Sequence, residues 1–504
     1  MLNQTALAWE NNKKNILSAI ADAKAKQVSV LCLPELCISG YNCEDAFYSP
    51  GVMQKAKDIL LEIVPHTQGI AVSLGLPVMF QNRIFNTVCL VVNQQIAGFV
   101  AKQYLAGNGI HYEPRWFKYW KEDTRTKIDI DGKLYPLGDI IFRVGDVKIG
   151  FEICEDAWVS SRPGGKLHRA GIDLIMNPSA SHFAFRKLDV RRRFVLEGSR
   201  AFGCCYIYAN LLGNEAGRAI YDGGTFIASS GEMKAAGERL HFDDYRVTTA
   251  VVDVDNNRLI QAQSSTHYHF TETQDYCADA PFDFPDILPE EENYDEAPWE
   301  GSPCIDEESF SRAIALSLFD YMRKSYSKGF VVSLSGGADS SACVSLCYLM
   351  VKLGVEQLGL QGFKQKLGYF REIQECGSVE EICKKMITAA YQPTENSGNV
   401  TRNASRQLAR AINADYYEFD VNTIYREYVR VISEGLGREL TWDTDDITLQ
   451  NIQARVRAPS VWMMANIKSA LLLSTSNRSE AAVGYATMDG DTSGGLSPIA
   501  GIDK

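Results

Sequence analysis

The chain has 504 residues, of which 45% are hydrophobic and 23% are charged. These values are typical of a globular protein with two or three domains, and they exclude disordered and collagen-like chains. The net charge of −12 disfavours binding to the negative phosphates of nucleic acid. The sequence has no run of about 18 apolar residues, which would predict a membrane helix. It also has no basic stretch followed by an apolar block, which would predict a signal peptide. The 13 scattered cysteines favour reduced thiols and a cytoplasmic location.

The first half of the chain alternates patterns typical of helices and of buried strands. Apolar residues at helical spacing predict a helix over residues 11–26. Three apolar runs predict buried strands that each end in polar residues: 28–33 before Glu35, 147–153 before Cys154 and 172–176 before Asn177. Because binding and catalytic residues concentrate on the loops at strand ends, these polar residues are candidates for a catalytic site.

Three residues at such places would make a hydrolase for amides. An amide carbon is a poor electrophile, so attack needs a thiolate, a base that takes the thiol proton and a cation near the developing oxyanion. Cys154, Glu35 and Lys102 supply these three chemical types. Each of them alone is more often a structural residue or, for the lysine, a solvated surface group.

The sequence around these residues resembles the three signatures of the nitrilase/amidase superfamily. The matching stretches are 33–36, 101–105 and 150–158, in this order along the chain. The resemblance implies a four-layer α-β-β-α sandwich in which Glu35 is the general base, Lys102 steadies the oxyanion and Cys154 is the nucleophile. It also implies that Glu113 is a second glutamate that supports the glutamine site. A structural ion pair is the alternative for Glu113.

Glutamine-using members of this superfamily indicate how a substrate would bind. By resemblance to them, Ser181 and Lys187 hold the α-amino-acid end of glutamine, and Trp158 forms a wall of the same pocket. A carboxylate needs a cation and hydroxyl donors, so these residue types suit the task. Some relatives have a tyrosine where this chain has Asn108. An ordinary surface loop is the alternative for the segment from 177 to 187.

An acidic segment separates the two halves of the chain. Residues 271–300 contain no lysine or arginine and carry several acids and prolines, which favour neither helix nor sheet. We therefore predict a glutamine amidohydrolase domain over 1–270, an extended connector over 271–303 and a second domain over 304–504. A solvated loop within one domain is the alternative for the connector.

The second half begins with a pattern typical of phosphate binding. A helix is predicted over 310–322, a strand over 329–334 and an apolar helix over 342–353. Between strand and second helix stands Ser335-Gly336-Gly337-Ala338-Asp339-Ser340. Strand, glycine loop and helix direct backbone N–H groups at phosphate, although the lysine of a Walker A loop is absent. A structural strand-to-helix turn is the alternative.

This loop resembles the pyrophosphate loop of the N-type ATP pyrophosphatases, which implies a doubly wound, Rossmann-like parallel sheet. Four later segments resemble NAD⁺ synthetase: 450–457, 471–480, 489–495 and 497–504. The first of them looks like the start of a cationic helix. Joined to a nitrilase half, they identify the chain as similar to the glutamine-dependent NAD⁺ synthetase family. That family usually has a complete strand before the Leu-Asn-Gln-Thr stretch and continues beyond the final Asp-Lys. The join near 362–367 also looks abrupt, so we expect missing segments, including the C-terminal part of the second domain.

The resemblance implies roles for residues of the second half. Those expected to contact ATP are Ser335, Gly336, Gly337, Asp339, Ser340, Thr475 and Lys504. Asp339 and Glu480 are expected to hold Mg²⁺, and Asn451, Arg455 and Glu480 to bind deamido-NAD⁺. Carboxylates for the metal and cations for phosphates are chemically reasonable choices. Alternatively, Arg455 is a helix-surface residue and Asn451 a cap.

The family implies a complete reaction. Glutamine is hydrolysed through a Cys154 thioester, deamido-NAD⁺ is adenylated by ATP with loss of pyrophosphate, and ammonia displaces AMP. It also implies a homo-oligomer, an octamer, with no membrane or nucleic-acid partner. Two alternatives are another glutamine-dependent adenylating amidotransferase and a non-catalytic scaffold on the nitrilase fold. A scaffold would be expected to have lost at least one of Glu35, Lys102 and Cys154, and all three are present.

Overall fold

The computed structural model describes residues 1–263, 277–288 and 297–504. They form two compact units, Met1–Ala313 and Ile314–Lys504. The division between these units falls at residue 314, and the domain bounds 1–270, 271–303 and 304–504 stay predictions. Part of the acidic connector lies outside the described residues, while its described parts belong to the first unit.

The first unit contains two large sheets. The helices in it are α1 (Trp9–Ala25), α2 (Pro50–Ile63), α3 (Glu113–Trp116), α4 (Pro163–Arg169), α5 (Lys187–Phe202) and α6 (Val254–Gln263). The strands in its first half are β1 (Val30–Cys32), β2 (Ala71–Phe80), β3 (Arg83–Val92), β4 (Gln95–Ala101), β5 (Arg125–Ile130), β6 (Lys133–Gly138), β7 (Ile141–Val144) and β8 (Val147–Phe151). Those that follow are β9 (Leu174–Ser179), β10 (Cys205–Asn210), β11 (Leu212–Asn214), β12 (Ile220–Asp222), β13 (Thr225–Ser229), β14 (Glu232–Gly237) and β15 (Cys277–Ala280).

These elements stack as four layers. One sheet has the order β1-β2-β3-β4-β6-β5 and the other β14-β13-β10-β9-β8-β7-β15. Apolar residues of α1 and α2 pack against β2 on one side, and residues of α4 and α5 pack against β9 and β10 on the other. A separate apolar cluster, including Val88 and Phe151, fills the space between the two sheets. The expected α-β-β-α sandwich is therefore confirmed.

The expectation that the acidic segment contains no sheet is wrong for Cys277–Ala280. This strand pairs in parallel with Ile141–Val144 at the edge of the second sheet. The prediction used the composition of the whole 30-residue segment. Within it, these four residues contain no proline and only one acid, Asp279. Their backbone groups satisfy the open edge of β7, and this pairing outweighs the local preference.

The second unit is built on one four-stranded parallel sheet. The helix α7 (Ile305–Lys324) leads into it, and its strands are β16 (Phe330–Ser333), β17 (Ile387–Tyr391), β18 (Asp415–Glu418) and β19 (Leu471–Leu473). The helices that follow α7 are α8 (Ala338–Lys366), α9 (Val379–Met386), α10 (Asn399–Ala411), α11 (Asn422–Leu436), α12 (Asp446–Arg455), α13 (Ala458–Lys468) and α14 (Arg478–Val483). The order β18-β17-β16-β19 is the 3-2-1-4 order of a doubly wound fold, so that expectation is also confirmed.

Three helices differ from their predicted bounds, and the first of them, α7, begins at Ile305 rather than at residue 310. The helix predicted to end at 353 continues as α8 to Lys366, with non-helical backbone at Gly359, so the apparently abrupt stretch 362–367 is mostly helix. Residues 450–455 are the last turns of α12 rather than a helix start, and Arg455 at that end suits the negative pole of the helix dipole. Among the described helices, α8 has the length and apolar character of a membrane span, and it packs against β16, β17 and α9 as a core helix does.

Candidate active sites

The first site lies where strands of the two large sheets end. Glu35 follows β1, Lys102 directly follows β4 and Cys154 follows β8. Alternation along β4 places Lys102 on the same face as Val100, which belongs to the cluster between the sheets. Cys154 belongs to that cluster as well, so the three predicted catalytic residues converge on the space between the layers.

A single ammonium group organises the charges of this site. The Nζ atom of Lys102 donates to Oε1 of Glu35 at 2.6 Å and to Oε1 of Glu113 at 2.8 Å. All three side chains are at most 1% exposed. Burial lowers the pKa of Lys102, but the carboxylates of Glu113 and Glu35 raise it well above its usual value. The ion pair considered as an alternative role for Glu113 is thus present inside the site.

The carboxylate of Glu35 is held from three sides. Besides Lys102, Nδ2 of Asn86 donates to its Oε1 at 2.7 Å, and the backbone N–H of Ala180 donates to its Oε2 at 3.0 Å. Burial raises the pKa of Glu35 to about 7 against the opposing charge of Lys102. A carboxylate with this pKa can take a proton at neutral pH and return it.

Cys154 occupies a strained turn. It begins a 3₁₀ turn with φ at +47°, a left-handed conformation that a non-glycine residue rarely adopts. Asp156 fixes this turn because its carboxylate accepts from the N–H groups of Ile153 and Tyr104 at 2.9 and 2.8 Å. Burial and then the charge of Glu35 raise the pKa of the Cys154 thiol. The sulfur therefore carries its proton at neutral pH, and a base must remove it before attack.

The residues expected to bind glutamine contact one another or Arg191 in the first unit. Oγ of Ser181 accepts from Nε of Arg191 at 3.2 Å, and Nζ of Lys187 lies 5.4 Å from the ring centre of Trp158. Burial and then the positive charge of Arg191 lower the pKa of Lys187 to about 8, although Cys154 opposes this shift. Asn108 is exposed, and its carbonyl accepts from the N–H of His111 at 3.2 Å.

Several residues of this site were missed by sequence reasoning. They are Tyr41, Asn86, His111, Asp156, His182 and Arg191. Asn86 had a usable signal, since it is polar within the otherwise largely apolar strand β3. Arg191 lies in α5, where it is fully buried and bonded to Asp222. The two histidines carried no signal of their own, because His111 pairs with Tyr41 and with His182 across about 70 residues, and only Lys187 lies near His182 in the chain.

The second site lies at the carboxyl end of the parallel sheet. The loop Ser335–Ser340 follows β16, and the loop containing Thr475 follows β19, the neighbouring strand. Strand order reverses between these two strands, and such a crevice is where doubly wound sheets bind ligands. Gly336 has φ at +82°, and a Cβ there would lie 2.4 Å from the backbone oxygen of Thr401. The loop therefore requires glycine at this position.

Hydroxyl and backbone groups line the phosphate loop. The Oγ atoms of Ser335 and Ser340 lie 3.1 Å apart, and the N–H of Gly337 points to Oγ of Ser335 at 3.2 Å. The helix α8 begins at Ala338, so its first N–H groups lie in the same loop. This combination suits a phosphate group at the positive end of a helix.

The carboxylates expected to hold Mg²⁺ approach a shared cation. Nζ of Lys504 lies 2.8 Å from Oδ2 of Asp339 and 4.0 Å from Oε1 of Glu480. Asn477 donates from Nδ2 to Oδ1 of Asp339 at 3.2 Å. No group of three or more His, Cys, Asp or Glu residues with metal-ligand geometry occurs among the described residues. Two hard oxygen ligands still fit Mg²⁺, which usually takes one or two carboxylates and completes its shell with water and phosphate.

Asn451 and Arg455 lie on one helix and contact one segment. Oδ1 of Asn451 accepts from Oγ1 of Thr487 at 3.1 Å, and Nε of Arg455 donates to the backbone oxygen of Met488 at 3.0 Å. These contacts place both residues against the acidic glycine segment near 489–495. No hydrogen bond or ion pair described for the second unit joins them directly to Asp339.

Comparisons with known proteins match both halves. The carbon-nitrogen hydrolase family model matches residues 2–262, and the NAD synthase family model matches residues 310–504. The glutamine-dependent NAD(+) synthetase of Mus musculus is 30% identical over 100% of this chain and 74% of its own length. That of Saccharomyces cerevisiae strain S288c is 28% identical over 100% of this chain and 76% of its own length.

Similar structures cover both units as well. The crystal structure of a glutamine-dependent NAD(+) synthetase from Cytophaga hutchinsonii is 43% identical, with a TM-score of 0.85 over 100% of this chain and 78% of that chain. A glutamine-dependent NAD+ synthetase from Acinetobacter baumannii has a TM-score of 0.72 at 20% identity, over 100% of this chain and 79% of that chain. The second likeness concerns the fold alone.

Proposed function

The chain belongs to the family of glutamine-dependent NAD(+) synthetases, and from this premise we propose how its residues divide the reaction. The enzyme is an ATP-dependent carbon–nitrogen ligase that takes nitrogen from glutamine to convert deamido-NAD⁺ to NAD⁺. This function is confirmed over another adenylating amidotransferase. We propose the roles of individual residues, the metal, the compartment and the assembly.

In the first unit, Glu35 takes the proton of the Cys154 thiol. The thiolate attacks the side-chain carboxamide carbon of glutamine, and Lys102 stabilises the oxyanion that forms. Glu35 then gives its proton to the departing nitrogen, so that ammonia leaves and a thioester remains. Water, activated by the same carboxylate, releases glutamate and restores the thiol. The observation that carries this assignment is the ammonium of Lys102 between two buried carboxylates beside Cys154.

The amino-acid end of glutamine lies against Lys187, Ser181 and Trp158. Lys187 supplies the positive charge for the α-carboxylate, and the hydroxyl of Ser181 supplies a hydrogen-bond donor. The ring of Trp158 stands beside the ammonium of Lys187 and limits the width of the pocket. Glu113 supports the site through Lys102, whose ammonium it holds with a second ion pair at 2.8 Å.

In the second unit, the carboxylate of deamido-NAD⁺ attacks the α-phosphorus of ATP and pyrophosphate leaves. Ammonia then attacks the adenylated carboxyl carbon, and AMP departs as the amide forms. The loop from Ser335 to Ser340 holds phosphate oxygens with backbone N–H and hydroxyl groups. The other proposed contacts are Thr475 and Lys504 with ATP, and Asn451, Arg455 and Glu480 with deamido-NAD⁺. Asp339 and Glu480 would hold Mg²⁺, which neutralises charge on the phosphate oxygens.

The compartment and the oligomeric state are proposed from the cysteines and from the family resemblance. All 13 cysteines lie in the described residues and none forms a disulfide, which supports a cytoplasmic location. The homo-oligomer, an octamer, is proposed from the family resemblance. Sedimentation equilibrium of the purified chain measures its mass directly, and a monomer would reject this part of the proposal.

Selective labelling tests the catalytic assignment. A glutamine-like diazoketone that alkylates a nucleophile in a glutamine pocket should modify Cys154, and peptide mass spectrometry identifies the adduct. Excess glutamine should protect the thiol. The Cys154→Ala variant should remain unlabelled, while Cys304→Ala, which removes an exposed cysteine, should label like the parent. A glutamine-protected adduct on any other cysteine would reject the assignment.

A further inference from the structure

A continuous chain of hydrogen bonds connects the catalytic charges to the lysine proposed to bind glutamine. Tyr41 donates from its hydroxyl to Oε1 of Glu113 at 2.7 Å and lies 3.1 Å from Nδ1 of His111. Nε2 of His111 lies 2.7 Å from Nδ1 of His182. Nζ of Lys187 lies 3.2 Å from Nδ1 and 3.5 Å from Nε2 of His182. We call Tyr41, His111 and His182 the imidazole relay.

The available protons allow only one direction of donation along this relay. Tyr41 has a single hydroxyl proton, which points to the carboxylate of Glu113, so Nδ1 of His111 must donate to the tyrosine oxygen. A neutral His111 then keeps a lone pair on Nε2, which accepts the proton of Nδ1 of His182. His182 is left with a lone pair on Nε2, which lies 3.5 Å from Nζ of Lys187 and can accept from it, while the protonated Nδ1 lies nearer to Nζ, at 3.2 Å. Every donor along the relay thus points towards Glu113.

The two imidazoles stay neutral in this environment. Burial and then the positive charge of Lys187 lower the pKa of His111 to about 4 and that of His182 to about 3. The charges of Lys102 and Arg191 act on His111 in the same direction, and Arg191 also acts on His182. Neutral rings are what the directed chain requires, because a doubly protonated imidazole has no acceptor.

The backbone around His182 is held firmly. Nη2 of Arg191 donates to the backbone oxygens of Ser181 and His182 at 2.9 and 2.7 Å. The guanidinium is fully buried and is itself bonded to both oxygens of Asp222. The backbone that carries the ring of His182 is therefore fixed to the helix that begins at Lys187.

We propose that Tyr41, His111 and His182 are positioning residues that set the affinity of the glutaminase site for the amino-acid end of its substrate. The relay uses one N–H of the Lys187 ammonium and leaves two for a carboxylate. It also aligns the hydroxyl of Tyr41 with Glu113, which holds Lys102. This inference rests on the proposed role of Lys187 in glutamine binding.

The test compares how variants change glutamine binding and thiol reactivity. His182→Phe keeps a planar ring but cannot accept from Lys187, so we expect the KM for glutamine to rise about 10- to 100-fold, with kcat changed less than about 3-fold. His182→Asn retains one acceptor and one donor and should recover part of the loss. His66→Phe replaces an exposed histidine and should match the parent.

Two alkylating reagents separate positioning from damage to the catalytic residues. Iodoacetamide has no amino-acid end, so His182→Phe should react with it through Cys154 at the parent rate. The glutamine-like diazoketone needs the amino-acid pocket, and its labelling rate should fall by the same factor as kcat/KM for glutamine. Equal loss with both reagents would mean that the variant disrupts the site as a whole, and the relay would be rejected.

Lys187→Ala distinguishes failure of the relay from failure of the proposed function. If this variant binds glutamine like the parent, the proposed role of Lys187 is wrong. If Lys187→Ala raises the KM but His182→Phe does not, the role of Lys187 stands and the relay is rejected. Tyr41→Phe should raise the KM less than His182→Phe and add little to it in the double variant, since both break one chain. Ammonium-dependent NAD⁺ formation should stay at the parent rate in His182→Phe.

Discussion

The amidase site and the phosphate loop differ in how far their charged side chains are exposed to solvent. In the first, Glu35, Lys102 and Glu113 are at most 1% exposed, and each charge has a partner within the protein. In the second, the side chains of Asp339 and Lys504 are 20% and 56% exposed. The charges of the first site are enclosed and paired, whereas Asp339 in the second site, although paired with Lys504 and Asn477, stays partly exposed to solvent.

This difference follows from what each reaction needs. Amide hydrolysis creates a new negative charge where the ground state has none, so the stabilising cation must be fixed in advance in a dry environment. Adenylation begins with a ligand that already carries several charges, and the ligand itself completes the electrostatics of the site. Variants in the first site should therefore act on glutamine alone, while those in the second should act with either nitrogen donor.

The largest effect is expected for Cys154→Ala. Without the nucleophile, glutamine-dependent NAD⁺ formation should fall by about 10⁴-fold or more, while the ammonium-dependent rate is unchanged. Parallel assays with both donors measure the ratio, and Cys304→Ala is the matched control. Equal loss of the two activities would abolish the distinction between the sites.

Glu35→Gln should have the next largest effect. The amide keeps the shape of the side chain but cannot accept the thiol proton, so glutaminase activity should fall by about 10²- to 10⁴-fold. Rapid quenching after mixing with glutamine measures thioester formation. If the thioester forms at the parent rate, another residue, such as Glu113, is the base.

Asp339→Asn should reduce NAD⁺ formation by about 10²-fold with either nitrogen donor. The amide retains the volume but loses the charge proposed to hold Mg²⁺, so excess Mg²⁺ should restore part of the rate. Reaction of Cys154 with the diazoketone should be unaffected, and Asp443→Asn, at an exposed position in the same unit, should match the parent. Full activity from ammonium at low Mg²⁺ would make Asp339 a turn residue only.

The smallest effect should be the pH dependence of glutaminase activity. We expect kcat/KM for glutamine to fall about 10-fold on the acidic limb and about 10-fold on the alkaline limb of the pH profile. As the proposed base, Glu35 can accept the thiol proton only above its pKa of about 7, which burial raises, so kcat/KM for glutamine should fall as the pH drops through 7. Lys187 is charged only below its pKa of about 8, which burial lowers, so kcat/KM should fall again above pH 8. Lys187→Arg should remove the alkaline limb and leave the acidic one. An alkaline limb unchanged in that variant would show that another group titrates.

The residues at strand tips were predictable, whereas those that join distant loops were not. Glu35, Lys102 and Cys154 each end an apolar run, and a strand of period two places the following side chain on a known face. Gly336 was predictable because only glycine tolerates its backbone. Tyr41, His111 and His182 are joined to one another across about 70 residues, so no local pattern marked these bonds.

The same reasoning explains the one misjudged strand. Composition correctly described most of the acidic segment as unfavourable for regular structure, but β15 forms because the edge of β7 offers unpaired backbone groups. Such long-range pairing depends on the assembled sheet and not on four residues alone. Contacts between distant parts of the chain decided both the misjudged strand and the missed relay.

The central claim is that nitrogen freed at Cys154 becomes the amide formed in the second unit. The most direct measurement supplies the parent enzyme with glutamine labelled with ¹⁵N in its side-chain amide, together with MgATP and deamido-NAD⁺. Mass spectrometry should find ¹⁵N in the amide of the NAD⁺ product, with one AMP and one pyrophosphate for each NAD⁺. Unlabelled NAD⁺ formed while glutamine is hydrolysed, or ATP cleaved to ADP and phosphate, would contradict the account.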